Sequence, residues 1–173
     1  MSKDKPKFER LDQSDETWLA TEIHHLLDAL RTDPRRRAWA YALIDDLLWF
    51  WTADAVHQGK VRRDAIKTDA RYLHSTEAAR RSLADRDVRE EHPVQHEHAG
   101  ERVEIIDVLR AHGHTVPQVL EILRHLNVAV IVTHDEHKRV GKRQWPEEWR
   151  DRRWQERYEE LKIALHDPET PRT

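Results

Sequence analysis

The sequence predicts a mainly α-helical fold: a helical bundle with one small β element near residues 128–132 that leads into a short helix. Three observations carry this expectation. Trp18, Leu19, Ile23, Leu26, Leu27 and Leu30 recur at helical spacing, and a longer apolar series runs from Trp39 to Ala55. Val128 to Val132 is the one persuasive strand, short, β-branched and bounded by Asn127 and Thr133. Thr115-Val116-Pro117-Gln118 and Thr133-His134-Asp135-Glu136 both read as capping boxes, in which a Thr hydroxyl and an amide or carboxylate three residues on satisfy the first turn of a helix.

Each element follows in order. Residues 1–13 read as a flexible arm, and Ser14 or Asp15 caps the first helix. Asp33-Pro34 ends it, because the residue before a proline avoids helical geometry. A central helix runs from about Arg35 to Val56, and Gly59 stops it. Further helical segments are expected at Val61–Leu73 and Thr76–Ala84, the second capped by Ser75, so that 14–84 forms a helical region. From Asp85 to Arg102 the chain is rich in charge and His, with little apolar content, and reads as a loop or short strand. Helices at Val103–His112 and from Thr115 to about Leu126 flank a turn at Gly113. After the strand and its capped helix, Gly141 is the stop. Pro146 then opens a last helix carrying Trp154, Tyr158, Leu161 and Leu165 to about His166. Residues 85–166 thus form a His-rich region plus C-terminal helix packed with 14–84 as one domain, and 167–173 read as a loose tail.

Composition excludes several classes. The chain is 36% charged and 38% hydrophobic, yet its seven Trp separate it from disordered chains, which are poor in aromatics. No apolar run approaches the roughly 20 residues needed to span a bilayer, and no apolar stretch follows the charged N-terminus as in a secretory signal. A soluble, cytoplasmic protein without a membrane partner is expected. The absence of Cys excludes disulfides, thiolate metal sites and Cys nucleophiles. A net charge of −3 leaves no whole-chain footprint for nucleic acid, and the Arg groups at 35–37, 62–63, 80–81 and 150–157 read as solvated faces.

The functional signal lies in the His-rich stretch. Eight of thirteen His fall between His92 and His137, accompanied by Glu90, Glu91, Glu97, Asp107, Asp135 and Glu136. Imidazole with carboxylate is a ligand set for zinc, manganese or iron, and for magnesium when carboxylates dominate. His112 and His114 flank a turn, and His125 sits at a helix C-terminus where cations are favourable, so these read as structural. His96 and His98 do not share a helical face, although both could meet one ion from an extended strand. His134 and His137, three apart at a helix start, do share one.

Glu91-His92, Asn127 and His137-Lys138-Arg139, in that order, resemble the motif of the HNH, or ββα-metal, nucleases. The resemblance spans residues 91–139. It implies that His92 is the general base, that Asn127 positions the surrounding loop, and that His137 on the following helix ligates a divalent ion (Mg, Mn or Zn). His134 and a carboxylate, Glu91 or Asp135, would complete the metal site, and Arg139 or Lys142 would hold the scissile phosphate. The implied partner is nucleic acid and the implied activity is metal-dependent phosphodiester hydrolysis.

Two other readings are open. Trp145, Trp149 and Trp154, interleaved with Arg, have the composition of an interface hot spot, as in a non-enzymatic inhibitor or accessory subunit. Alternatively, the clustered His could serve a regulatory domain that senses metal or pH.

Overall fold

The computed structural model describes residues 13–53, 55–57, 60–64, 66–71, 73–140 and 148–168. Its larger layer is helical. Helix α1 (Gln13–Thr32) packs beside α2 (Arg37–Ala53) and lies against α5 (Arg102–His112) and α6 (Val116–Leu126), while α2 lies against α5. The apolar stripe expected on the first helix is the buried one: Leu19, Ile23, Leu27 and Leu30 meet Ile44, Leu48 and Trp51 of α2 and Ile105, Leu109, Val119 and Leu123 beyond. Trp149, in a short 3-10 turn (Trp149–Asp151), closes this core at 1% exposure. An ion pair joins α1 to α6: the buried Glu16 carboxylate lies 2.8 Å from the half-exposed Arg124. No helix among the described residues is long and apolar enough to cross a membrane.

The second layer is a four-stranded sheet in the order β4-β5-β3-β6, made of β3 (His74–Thr76), β4 (Val94–His98), β5 (Ala129–Thr133) and β6 (Leu165–His166). β3 and β5 are parallel, while β4 and β6 run antiparallel to them. β5 is buried throughout, as its unbroken apolar sequence requires. On one face Val130 and Val132 pack with Tyr158, Val140 and Ile163; on the other Ile131 and Ala129 pack with Leu73 and Ala79. β1 (Ala55–His57) and β2 (Lys60–Arg62) form a separate antiparallel pair.

Both parallel strands end in a Thr that caps the helix after it. Thr76 caps α3 (Glu77–Ala84), and Thr133 caps α7 (His134–Arg139) in the capping box expected from the sequence. One carboxylate serves both ends. Glu136 Oε2 accepts the Thr76 hydroxyl at 2.6 Å, the Thr133 amide at 3.0 Å and the Thr133 hydroxyl at 3.1 Å. Each Thr oxygen in turn accepts an amide of its own helix.

Several local expectations are corrected. None of the described residues of Val61–Leu73 is helical; β2 and a series of turns are found there, and Asp64 takes a left-handed φ of 55° that ends the hairpin. Ile66 and Leu73 are buried seven residues apart, so they mimic a helical stripe without forming one. Thr76, not Ser75, is the cap of α3, since Ser75 belongs to β3. Asp85 caps a short α4 (Arg86–Glu91) within the segment read as irregular. The C-terminal helix shrinks to α8 (Glu156–Glu159), because Lys162 turns left-handed (φ 54°) and the chain pairs as β6. The arm at 1–12, Gly141 and Pro146, and residues 169–173 lie outside the described residues.

Glu136→Ala removes the shared acceptor and leaves buried donors at two helix starts. With about 1 kcal/mol for each lost cap and 1–3 kcal/mol for an unsatisfied buried donor, the loss should be about 3 kcal/mol in urea unfolding. At Gly113, between α5 and α6, an added Cβ would lie 2.6 Å from Leu109 O and 3.1 Å from Leu27 Cδ1. Gly113→Ala should therefore cost about 1–3 kcal/mol, seen as a lower urea midpoint at unchanged slope. At Gly100 the nearest atom is 3.5 Å away, so Gly100→Ala should leave the midpoint in place.

Candidate functional site

Strand β4 positions the site because it is an edge strand whose two faces carry different chemistry. His134 N donates to Pro93 O and Ala99 N to Val128 O, so residues 95, 97 and 99 turn their backbone groups to β5. The backbone groups of Val94, His96 and His98 therefore face the free edge. Side chains alternate: Glu97 lies on the face of Val130, its cross-strand partner, whereas His96 and His98 lie on the face of Ile131 and Ala129. A cleft of about 630 Å³ wraps around this edge, bordered by Tyr41, Asp45, Trp49, Arg102, His137 and Arg157 together with the three central β4 side chains. Its size suits a small ligand or a nucleotide.

On the first face, Glu97 is 7% exposed and doubly engaged. Its Oε2 lies 3.1 Å from His137 Nδ1 on α7, and its Oε1 lies 3.2 Å from Arg157 Nη2 on α8. Arg157 also donates to Ala99 O and Val140 O, so it ties the end of β4 to the end of α7. A buried carboxylate needs such partners, and here they fix one ring nitrogen of a His that is itself 52% exposed. Above them Tyr158 is buried, and desolvation, aided by the Glu97 charge, pushes its hydroxyl well above the usual tyrosine range.

On the second face, the His96 and His98 rings lie 5.0 Å apart under the indole of Trp49, at 4.8 and 5.4 Å. Trp49 is held by its Nε1–H, which donates to Asp64 at 2.8 Å, and Arg102 lies over its ring. The Trp49 and Lys67 bonds hold the Asp64 carboxyl below the usual carboxylate range. Arg102 pairs with Asp45 at 3.0 Å. Burial pushes His96 down to about 4 and, with the neighbouring charges of His96 and Arg102, His98 down to about 3. Both rings are neutral at pH 7.

The residues singled out by the HNH resemblance meet only in part. His92 caps the end of α4, and its Nδ1 lies 3.7 Å from Asp135 Oδ2, with both side chains more than half exposed. His134 is exposed at the start of α7, and its backbone amide binds Pro93 O, so this end of α7 does adjoin the His92 segment. Asn127 does not join them. It is 2% exposed at the end of α6, and its Nδ2 donates to Leu48 O on α2, a tie within the helical layer. Glu91 is an exposed residue at the end of α4, Arg139 donates to Leu161 O, and Lys142 lies outside the described residues. Asp135 and His137 stand about 200° apart around α7, one turned to His92 and the other to Glu97. Consistent with that division, no three His, Asp or Glu side chains among the described residues could hold a metal ion together. The expected set Glu91, His134, Asp135 and His137 is thus not a formed metal centre.

Of the three Trp read as a surface anchor, Trp149 is a core residue, Trp154 is partly buried against His74 and Tyr158, and Trp145 lies outside the described residues. Sequence reasoning missed Glu97, Arg157, Trp49 and Thr52 as site residues. The period-two alternation of His96, Glu97 and His98 was the signal for the first of these. Nothing local marks Arg157 or Trp49, which arrive from 60 and 48 positions away from Glu97 (157 − 97 and 97 − 49).

The neutral His pair ties stability to pH. Each group has a folded pKa below its unfolded value near 6.5, so its contribution is complete above pH 6.5 and is lost as pH falls toward 4 and 3. Unfolding free energy should drop across that window by on the order of 3 kcal/mol more in the wild type than in His96→Gln/His98→Gln, measured by urea titration at each pH. Parallel curves for the two proteins would refute the assignment. No family model, curated protein or solved structure matches this chain.

Proposed function

We propose that this chain is a phosphodiester hydrolase of the nuclease type, acting on nucleic acid or a nucleotide in the β4 cleft with His137 as general base. The observation that carries the reading is the buried Glu97 carboxylate, held by Arg157 on one oxygen and by His137 Nδ1 on the other. Such a carboxylate assigns the tautomer: the proton resides on Nδ1, and Nε2 keeps a lone pair toward the cleft. His137 Nε2 would take a proton from water as its oxygen bonds to phosphorus and the ester oxygen departs. Glu97 would balance the charge that develops on the ring. Tyr41 offers aromatic surface for a base, and Arg102, paired with Asp45, offers charge to a phosphate. His92 is the weaker base candidate, because its carboxylate partner Asp135 is distant and solvated. The divalent ion implied by the resemblance would need ligands that Glu91, His134, Asp135 and His137 do not jointly offer, so no step runs through an ion on those residues.

The test is hydrolysis of bis(p-nitrophenyl) phosphate and of a labelled DNA strand. His137→Ala should lower kcat by about 10²–10⁴-fold, and His92→Ala should change it little. The reading fails if the wild type cleaves neither substrate, or if His137→Ala keeps full activity while His92→Ala loses it.

One observation favours a second reading, a non-enzymatic interaction protein. Trp18 and Trp39 are 54% and 67% exposed, an unusual placement for large aromatics. A partner complex abolished by Trp18→Ser/Trp39→Ser, in a protein without hydrolytic activity, would support it.

A further inference from the structure

The His96–His98 pair plays no part in proton transfer at His137, yet it has the features of an incomplete metal site. We propose that His96 and His98 together bind one divalent ion of the late first transition series, such as Zn²⁺, Co²⁺, Ni²⁺ or Cu²⁺, in the β4 cleft. Imidazole is a ligand suited to these ions.

Spacing is the first argument. Two imidazoles on one tetrahedral ion, at metal–nitrogen distances of about 2.0–2.1 Å, have ring centroids roughly 5 Å apart. His96 and His98 stand at 5.0 Å with their planes inclined at 62°. Alternation along β4 sets this separation before any ion is present.

Protonation is the second. A metal-bound imidazole commonly donates its other N–H to a carbonyl or a polar side chain, which leaves the ligating nitrogen bare. His96 Nδ1 lies 3.2 Å from Lys67 O, a pure acceptor, so the proton belongs on Nδ1 and Nε2 is bare. His98 Nε2 lies 3.0 Å from Thr52 Oγ1, whose own proton goes to Trp49 O at 3.2 Å. The Thr52 oxygen therefore accepts, Nε2 of His98 carries the proton, and its Nδ1 is bare. His96 Nε2 is also buried and, among the described residues, has no hydrogen-bond partner. A ring retained for packing alone would leave that lone pair unsatisfied, an arrangement native folds rarely keep.

Two protein ligands leave the other positions of a tetrahedral ion to water or to an oxygen of a molecule in the cleft. That is the open arrangement of reactive rather than structural metal sites. Asp64 is near His96 but is engaged by Trp49 Nε1 and Lys67 Nζ, so it serves to hold the indole over the pair.

The experiment is calorimetric titration of metal-free full-length protein with ZnCl₂, paired with Cu²⁺ quenching of tryptophan fluorescence. One ion per chain is expected, with a quenching component that disappears in Trp49→Phe. His96→Gln/His98→Gln should weaken Zn²⁺ binding at least tenfold, and His134→Gln/His137→Gln should leave it unchanged. Thr52→Val keeps both ligands but releases the His98 ring, and should weaken binding about 10-fold or more. Equal affinity in the wild type and His96→Gln/His98→Gln would overturn the proposal, as would loss of the site in His134→Gln/His137→Gln alone. If the double variant does not fold by circular dichroism, unchanged affinity in Thr52→Val overturns it instead. No phosphodiester is present in these titrations, so failure here leaves the His137 reading standing, and an inactive enzyme leaves this one standing.

Discussion

The Glu136 carboxylate is the point on which both the sheet and the site depend. It receives the hydroxyls of Thr76 and Thr133, and so joins two strand-to-helix transitions that lie side by side at the ends of parallel strands. The cost of burying a carboxylate is offset because its bonds replace what water would have supplied. The consequence for the site is positional. His137 is the next residue in α7, so the direction in which its ring leaves the helix is set by the inward anchoring of Glu136. The sheet core and the His137 imidazole are therefore aligned by one side chain.

Strand β4 works on the same economy of means. Period-two alternation puts a buried acid on one face and two neutral imidazoles on the other, and the free edge between them is where the cleft forms. The acid is stabilised by Arg157 and His137, whereas the imidazoles are stabilised by Trp49, Thr52 and the Lys67 carbonyl. Separate elements supply these two sets of partners: α7 and α8 on one side, α2 and the turn after β2 on the other. Changes to one face leave the supports of the other in place.

Much of this was legible in the sequence, and the reasons are local. Thr133 and Glu136 announce a helix start within four residues, and α1 and α6 show their buried stripes directly. The errors share a different physics. β3 and β6 are only three and two residues long, too short for periodicity to register; β3 exists because β5 offers it a partner, and β6 because β3 does. Asp64 and Lys162 interrupt apparent helices through left-handed turns that neither residue type advertises. Asn127 looked like a motif residue because of its spacing from His137, yet its amide is spent on Leu48 O in the helical layer. The joining of Glu97, His137 and Arg157 could not be read, since it unites three segments brought together only by the tertiary fold.

Arg157 has one further consequence, for the behaviour of the molecule among its own copies. An exposed strand edge is a template on which another chain can add a strand. The guanidinium of Arg157 bonds the His98 and Ala99 carbonyls at the end of β4, and of these the His98 carbonyl lies on the free edge, so an acceptor that an incoming strand would use there is already engaged. The group that steadies the Glu97 carboxylate thus also takes up a backbone acceptor at the free edge. One side chain therefore serves both the interior of the sheet and its open border.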